Sequence, residues 1–195
     1  MKIIPHKHYI LHKPYGYLSQ FVNNQTKRKN KKLLGELYSF TEGTMAIGRL
    51  DETSEGILLL TTNGKVSTHI TSNKVEKEYY VMVDGIITKD AISKLKNGVT
   101  ISVNSKAYIT KPCTVFTVND ISEFPIENRF VRDERHGPTS WISITITEGK
   151  FRQVRKMTAA VGFPTLRLVR VRIGNLKLIL PVGNVTETEL PEVIN

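Results

Sequence analysis

The sequence predicts an α+β domain on a largely antiparallel, mixed sheet. Three observations lead there. Runs of apolar and β-branched residues alternating with polar ones recur along the whole chain, so strands dominate. Short amphipathic helical stretches lie interspersed among them. No internal repeat and no clear interdomain linker divides the 195 residues, which suffice for one substantial core, or for two lobes of about 1–75 and 76–195 sharing one.

The elements follow in order. "HYILHKP" is a first strand, stopped by Pro14. Residues 23–32, "NNQTKRKNKK", read as a solvated basic loop, and the Lys27–Lys32 run within it is a candidate RNA contact. "LLGELYSF" is a short helix. Residues 44–50 and 57–62 are apolar strands around the loop "RLDETSEG". "GKVSTHITSN" is helical, with Val66 and Ile70 four residues apart. "KEYYVMVDG" is a strand. "TKDAISKLKNG" is a helix, with Thr88 as N-cap, apolar Ala91, Ile92 and Leu95, and a closing Gly98. "KPCTVFTV" is a strand, and residues 119–139 form a long loop of the kind that is often functional. "SWISITITEG" alternates strictly, with Trp141, Ser143 and Thr145 on one face and Ile142, Ile144 and Ile146 on the other. "FRQVRKMTAAVG" is a helix closed by Gly162, and "LRLVRVRIG" is a strand studded with arginines.

Bulk composition bounds the function. An apolar fraction of 39% and a charged fraction of 24% are ordinary for a folded soluble protein. The net charge of +10 points to a polyanionic partner, nucleic acid first and an anionic membrane surface second. No apolar run reaches the roughly 20 residues of a membrane span, and the first residues lack a signal peptide's apolar segment. The single cysteine, Cys113, excludes an internal disulfide framework and a cysteine-based metal cluster. A cytoplasmic protein is expected.

Three stretches carry candidate chemistry. In the first, Asp51 stands where two strands end, partly desolvated, with glycines that let backbone and ligand approach. Glu52 and Glu55 are expected on the loop and wetter. Alone, this loop fits a solvated turn, Mg²⁺ on carboxylates, or a glycosidase-type pair of Asp51 and Glu55. In the second, "EGKFRQVRKM", Phe151, Val154, Thr158 and Val161 make an apolar helical stripe, with Arg152, Arg155 and Lys156 on the neighbouring face. With Arg167, Arg170 and Arg172 on the next strand, these suggest a phosphate-binding surface. In the third, Tyr79 and Tyr80 point to opposite faces of one strand. One packs in the core, and the other lines a surface or cleft where it can stack on a base. The histidines His6, His8, His12, His69 and His136 fit no metal-ligand pattern.

Taken in this order, the stretches resemble the RsuA-like family of RNA pseudouridine synthases. "GRLDETSEGILLLT" looks like that family's catalytic loop, and "KEYYVMV" like its Lys-x-Tyr strand. "EGKFRQVRKM" is similar to its Gly-x-x-Arg-Gln-Val-Arg-x-Met helix, "LRLVRVRIG" to the arginine strand behind it, and "ILHKPYGYL" to its opening. His12 and Phe151 stand where Asn is common. The resemblance runs from about His8 to the C-terminal region. It implies the pseudouridine synthase fold, a central sheet with flanking helices and a catalytic cleft, in the subgroup without an additional S4-type RNA-binding domain.

The resemblance also implies an isomerase that converts uridine to pseudouridine in ribosomal RNA, specifically large-subunit (23S) RNA. It needs no metal or other cofactor and no obligate protein partner. Asp51 takes the role of catalytic carboxylate, as nucleophile or base. Arg155 pairs with it, which suits a carboxylate working in its charged form. Tyr79 stacks on the uracil and accepts the C5 proton. Arg49 enters the space left by the flipped nucleotide. Arg152, Arg167, Arg170 and Arg172 contact phosphates, and the 119–139 loop, with Arg129, Arg132 and Arg135, closes over the RNA. The competing readings are a non-catalytic RNA-binding or ribosome-assembly module on the same scaffold, and a metal-dependent nuclease using Asp51 and Glu55.

Overall fold

The protein is described by a computed structural model covering residues 5–23, 30–72 and 75–189. Positions 27–29 of the basic run lie outside the described residues. The strands are β1 (His8–Lys13), β2 (Met45–Ile47), β3 (Glu55–Thr61), β4 (Lys77–Asp84), β5 (Thr100–Val103), β6 (Lys106–Ile109), β7 (Thr114–Val118), β8 (Thr139–Ile146), β9 (Thr165–Ile173), β10 (Leu176–Lys177) and β11 (Val185–Glu187). The helices are α1 (Gly64–Thr71), α2 (Lys89–Asn97) and α3 (Gln153–Ala160).

The main sheet runs β11-β1-β3-β9-β4-β8-β7, with β2 beside β3 and β10 beside β9. Its pairings are antiparallel except for β3 against β9. The mixed, largely antiparallel sheet is therefore as expected. The parallel contact is short, Glu55 opposite Val169 and Gly56 opposite Arg170. It dictates Gly56: the φ is +104°, and a Cβ there would stand 2.2 Å from the Arg170 carbonyl oxygen. Only glycine lets the two strands meet at this depth.

Both faces of the sheet centre are covered, which explains the unbroken apolar run after Gly56. Ile57 and Leu59 enter one buried cluster with Val169 and Val171, while Leu58 and Leu60 enter another with Tyr9, Leu11 and Leu50. A third cluster joins Val81 and Val83 of β4, the Ile142, Ile144 and Ile146 face of β8, and α2 and α3 through Leu95, Val154 and Met157. α2 forms as its sequence requires, with the Thr88 hydroxyl accepting from Ala91 N–H and Gly98 closing it at φ +97°.

Two details depart from the sequence reading, and two add to it. "LLGELYSF" makes one 3₁₀ turn, Leu34–Glu36. Residues 100–109 form a hairpin whose two turn residues, Asn104 and Ser105, both have positive φ. Ser143 and Thr145 are buried like the isoleucines, because β8 lies between β4 and β7 and is covered on both sides. The predicted α3 begins two residues late, so Phe151 leaves the apolar stripe and stands 69% exposed.

Candidate active site

The site forms between the end of β2 and the start of β3, beside the start of α3. After β2 the chain turns at Gly48, φ +67°, and reaches Arg49-Leu50-Asp51. Leu50 is the anchor. Its side chain enters the core, and Ser19 grips its backbone twice: the hydroxyl donates to Leu50 O at 2.8 Å and accepts from Leu50 N–H at 3.0 Å. A turn closed by Ser54 N–H on Asp51 O then leads into β3. Asp51 is thereby held in the lining of a pocket of about 180 Å³, with its side chain 25% exposed.

Two guanidiniums meet the Asp51 carboxylate. Arg152 Nη1 donates to Oδ2 at 3.0 Å, and Arg155 Nε lies 3.6 Å from the same oxygen. Arg155 also holds the loop, donating through Nη2 to Thr53 O at 3.0 Å and Ser54 Oγ at 3.2 Å. Burial and the neighbouring Arg152 pull the Arg155 pKa down, against Asp51, yet it stays a cation at neutral pH. The turn before α3 is braced from inside. Gln153 accepts from Lys150 N–H at 2.9 Å and donates to Glu148 Oε1 at 2.5 Å, and that carboxylate also accepts from the Lys111 N–H and the Tyr108 hydroxyl. Arg152, at φ +53°, can therefore turn its side chain towards Asp51.

Tyr79 and Lys77 line the pocket wall from one face of β4, two residues apart. In the β4–β9 pairing a register shift falls here, with Glu78 opposite Arg172 and Tyr79 opposite Arg170. Tyr80 faces the other way into the core, edge-on to Phe124. The Lys77 ammonium has two long contacts, 3.4 Å to Ser72 O and 3.4 Å to Thr147 O, and burial lowers its pKa to about 8. Behind the loop, Lys13 is fully buried, donates to Pro14 O and Tyr17 O, and is likewise lowered to about 8 by burial.

The predicted residues thus separate into two groups. Asp51, Tyr79, Arg49 and Arg152 come together around the pocket, with Arg155 behind Asp51. The arginines of β9 do not form an open phosphate-binding face. Arg167 is 3% exposed and makes a two-point pair with Glu55, Nη2 to Oε2 at 2.6 Å and Nε to Oε1 at 3.0 Å. Arg170 is 5% exposed and donates to Ile57 O at 2.8 Å, and it reaches the pocket from behind. Arg172 bridges Glu76 and Glu78. Alternation along β9 turned these cations towards carboxylates and carbonyls, not towards solvent.

Glu55 is corrected with them. It is the first residue of β3, 3% exposed, and shared between Arg167 and Arg129. A carboxylate neutralised in this way is not a partner acid for Asp51, nor a ligand beside it for Mg²⁺. Glu52 is wetter, as expected, and pairs with Lys31. The 119–139 loop also spends its cations internally: Arg129 stacks 4.2 Å over Tyr15 besides holding Glu55, Arg132 pairs with Asp84, and Arg135 with Asp133.

Sequence reasoning assigned no role to Ser19, Lys13, Lys77, Gln153 or Glu148. Lys77 was legible by strand alternation from Tyr79, and Gln153 by its place between two site arginines. Ser19 carried no signal. Among the described residues, no group of three or more His, Cys, Asp or Glu could hold a metal ion, and no helix is long and apolar enough to cross a membrane.

Known proteins share both the sequence and the fold. Ribosomal large subunit pseudouridine synthase E of Xanthomonas axonopodis pv. citri (strain 306) is 39% identical over 171 residues, 87% of this chain and 86% of that one. The protein of the same name from Vibrio parahaemolyticus serotype O3:K6 (strain RIMD 2210633) is 40% identical over 171 residues, 87% of this chain and 68% of that one. A crystal structure of a pseudouridylate synthase superposes with a TM-score of 0.75 at 24% identity, covering 98% of this chain and 74% of that one, which is a likeness of fold. Residues 7–160, from the first strand through α3, match RNA pseudouridylate synthase as a family, and this chain belongs to it.

Proposed function

We propose that the protein isomerises a uridine of large-subunit ribosomal RNA to pseudouridine, with Asp51 as the catalytic carboxylate. One observation carries the assignment of roles: a carboxylate and a tyrosine lining one pocket, with the carboxylate held by two guanidiniums. The likeness in name and length to the large-subunit synthases supports the choice of RNA.

The reaction needs little else. The N1–C1′ bond of the nucleotide breaks, the uracil turns within the pocket, and a C5–C1′ bond forms. C5 then loses its proton and N1 gains one. Product and substrate are isomers, so no oxidant and no net water enter. Asp51, as nucleophile at C1′ or base at C2′, starts the cleavage. Arg155 keeps the carboxylate placed, because it is tied to the same loop. Tyr79 stacks on the base and takes the C5 proton. Arg49, exposed beside the pocket, fills the stack that the extruded uridine leaves.

The test is direct. Large-subunit RNA transcribed without modifications is incubated with the protein in EDTA, and pseudouridine is located by carbodiimide adducts that stop reverse transcription. One discrete new stop is expected with the parent, and none with Asp51→Asn. No stop in large-subunit RNA, with stops in small-subunit RNA, would overturn the substrate. Activity lost in EDTA and restored by Mg²⁺ would overturn the metal-free chemistry.

A further inference from the structure

Phe151 is an aromatic side chain whose position packing does not explain. The residue is 69% exposed, although helical spacing would have buried it beside Val154. The cause is local: Arg152 adopts the left-handed conformation and α3 begins only at Gln153, so the preceding residue is carried outward.

Three features separate this ring from other exposed apolar residues such as Ile109 or Ile179. It lies next in the chain to two residues that line the Asp51 pocket, Lys150 and Arg152, without lining the pocket itself. One cation stands close to it, Lys156 Nζ at 5.3 Å from the ring centroid. Its mount is stiff: Gln153 N–H donates to Lys150 O at 3.0 Å, Lys156 N–H to Arg152 O at 3.0 Å, and the Gln153 side chain ties the turn to buried Glu148.

A flat apolar face beside a cation, on a fixed turn one residue from the wall of a pocket for one base, fits a second base on a polyanionic strand. We propose that Phe151 is a stacking platform for the base of a nucleotide adjacent to the reacting uridine, with flanking phosphates drawn to Lys150 and Lys156. The inference rests on the assignment of the Asp51 pocket to that uridine. Every base has a π-face, so the platform positions the strand and adds affinity without choosing sequence.

The experiment uses a single-stranded fragment of large-subunit RNA around the uridine located by mapping, with 2-aminopurine on its 5′ or its 3′ side. The parent should quench the fluorescence on one side. Phe151→Trp should keep the quench, and Phe151→Ala should lose it. Phe151→Ala should raise KM about tenfold with kcat nearly unchanged, as expected for the loss of one base–aromatic stack. An abasic residue on the quenched side should cost the parent the same factor and cost Phe151→Ala nothing more. Because the residue is exposed, all variants should melt with the parent. If the parent converts the fragment while Phe151→Ala shows parental KM and quenching, the platform is refuted and the uridine assignment stands. If the parent converts no uridine in any ribosomal RNA, the assignment of the pocket fails and the platform with it.

Discussion

Arg152 Nη1 stands 3.0 Å from Asp51 Oδ2, and Arg155 Nε stands 3.6 Å from the same oxygen, but the two cations are not equivalent. The Arg155 side chain is 12% exposed and also bonded to the loop that carries Asp51, whereas Arg152 is 40% exposed. Arg155 is part of the frame. Arg152 is the more exposed of the two, and we propose that it exchanges the carboxylate for a phosphate when RNA binds.

Asp51→Asn should leave folding and RNA affinity close to parental, because the amide has the same shape and the side chain is not a core group. Turnover should fall by at least about three orders of magnitude, some 4 kcal/mol of barrier. Single-turnover conversion of the mapped RNA fragment measures this. A comparable rate in a sequence-verified Asp51→Asn protein removes Asp51 from its role.

The same contrast predicts salt dependence. Arg152→Gln should lower the slope of log affinity against log salt by about 0.7–0.9, the share of one phosphate contact. Arg172→Gln should leave the slope unchanged, because Arg172 already answers Glu76 and Glu78. Filter binding between 50 and 200 mM salt, roughly the range over which such slopes are read, decides it. The reverse pattern would mean that β9 faces the RNA after all.

Glu55→Gln should be costly to stability. It leaves Arg167, whose side chain is 4% exposed, and Arg129 without their counter-charge. Breaking one partner of a buried pair costs about 3–5 kcal/mol. Urea unfolding should show that loss, and a change below about 1 kcal/mol would mean that water reaches the pair. Replacing both Glu55 and Arg167 by Met should cost less than Glu55→Gln alone, since neither charge then stays buried.

This pair also marks how far the sequence could be read. Strand alternation and capping were local properties, so β1, β4, α2 and most of β9 were legible. The family resemblance that the motifs carry implied one site for Asp51, Tyr79 and Arg155 before any coordinates. What alternation cannot say is which face of β9 turns towards a carboxylate from another strand. The Arg167–Glu55 contact spans 112 residues and exists only because β3 and β9 run parallel at Gly56. The start of α3 was misplaced for a similar reason. Helical spacing continues through Phe151, but the Gln153–Glu148 bond and the left-handed Arg152 end the helix first. The β5–β6 hairpin had a usable signal, the Asn104-Ser105 turn between alternating residues, that went unread.

Lys77 should make stability depend on pH. Its pKa in the fold is about 8, below the 10.5 of an exposed lysine, with burial the main cause. Folding therefore disfavours the charged form. The penalty is complete below about pH 8, shrinks as the pH rises through the window up to 10.5, and is absent above it. Lys77→Met removes a charge that makes only two 3.4 Å contacts, so it should raise the melting temperature at pH 7. The gain should narrow steadily towards pH 10.5, where the unfolded lysine also loses its proton. Parallel melting curves across that range test the sign. A variant less stable than the parent at pH 7 would mean that the ammonium is held better than its distances indicate.

Tyr79→Phe separates stacking from proton transfer. The ring remains, so uracil should still stack and RNA affinity should be nearly parental. The phenol oxygen is lost, and with it the group proposed to take the C5 proton once the base has turned. Cleavage of N1–C1′ and formation of C5–C1′ should then proceed, while the final deprotonation becomes the slow step. Substrate deuterated at C5 should react more slowly than protiated substrate with Tyr79→Phe, and much less so with the parent. The rearranged nucleotide, still carrying its C5 hydrogen, should accumulate on the protein. Suppose instead that Tyr79→Phe turns over at the parental rate with no isotope effect. Tyr79 is then a stacking surface alone, and the proton must pass to another group at the pocket. Lys77 lies two residues away on the same face of β4. With its pKa lowered to about 8, a useful fraction of it is neutral near pH 8 and able to accept a proton. In that case the isotope effect should appear in Lys77→Met, and if neither variant shows one, Asp51 itself is the remaining base.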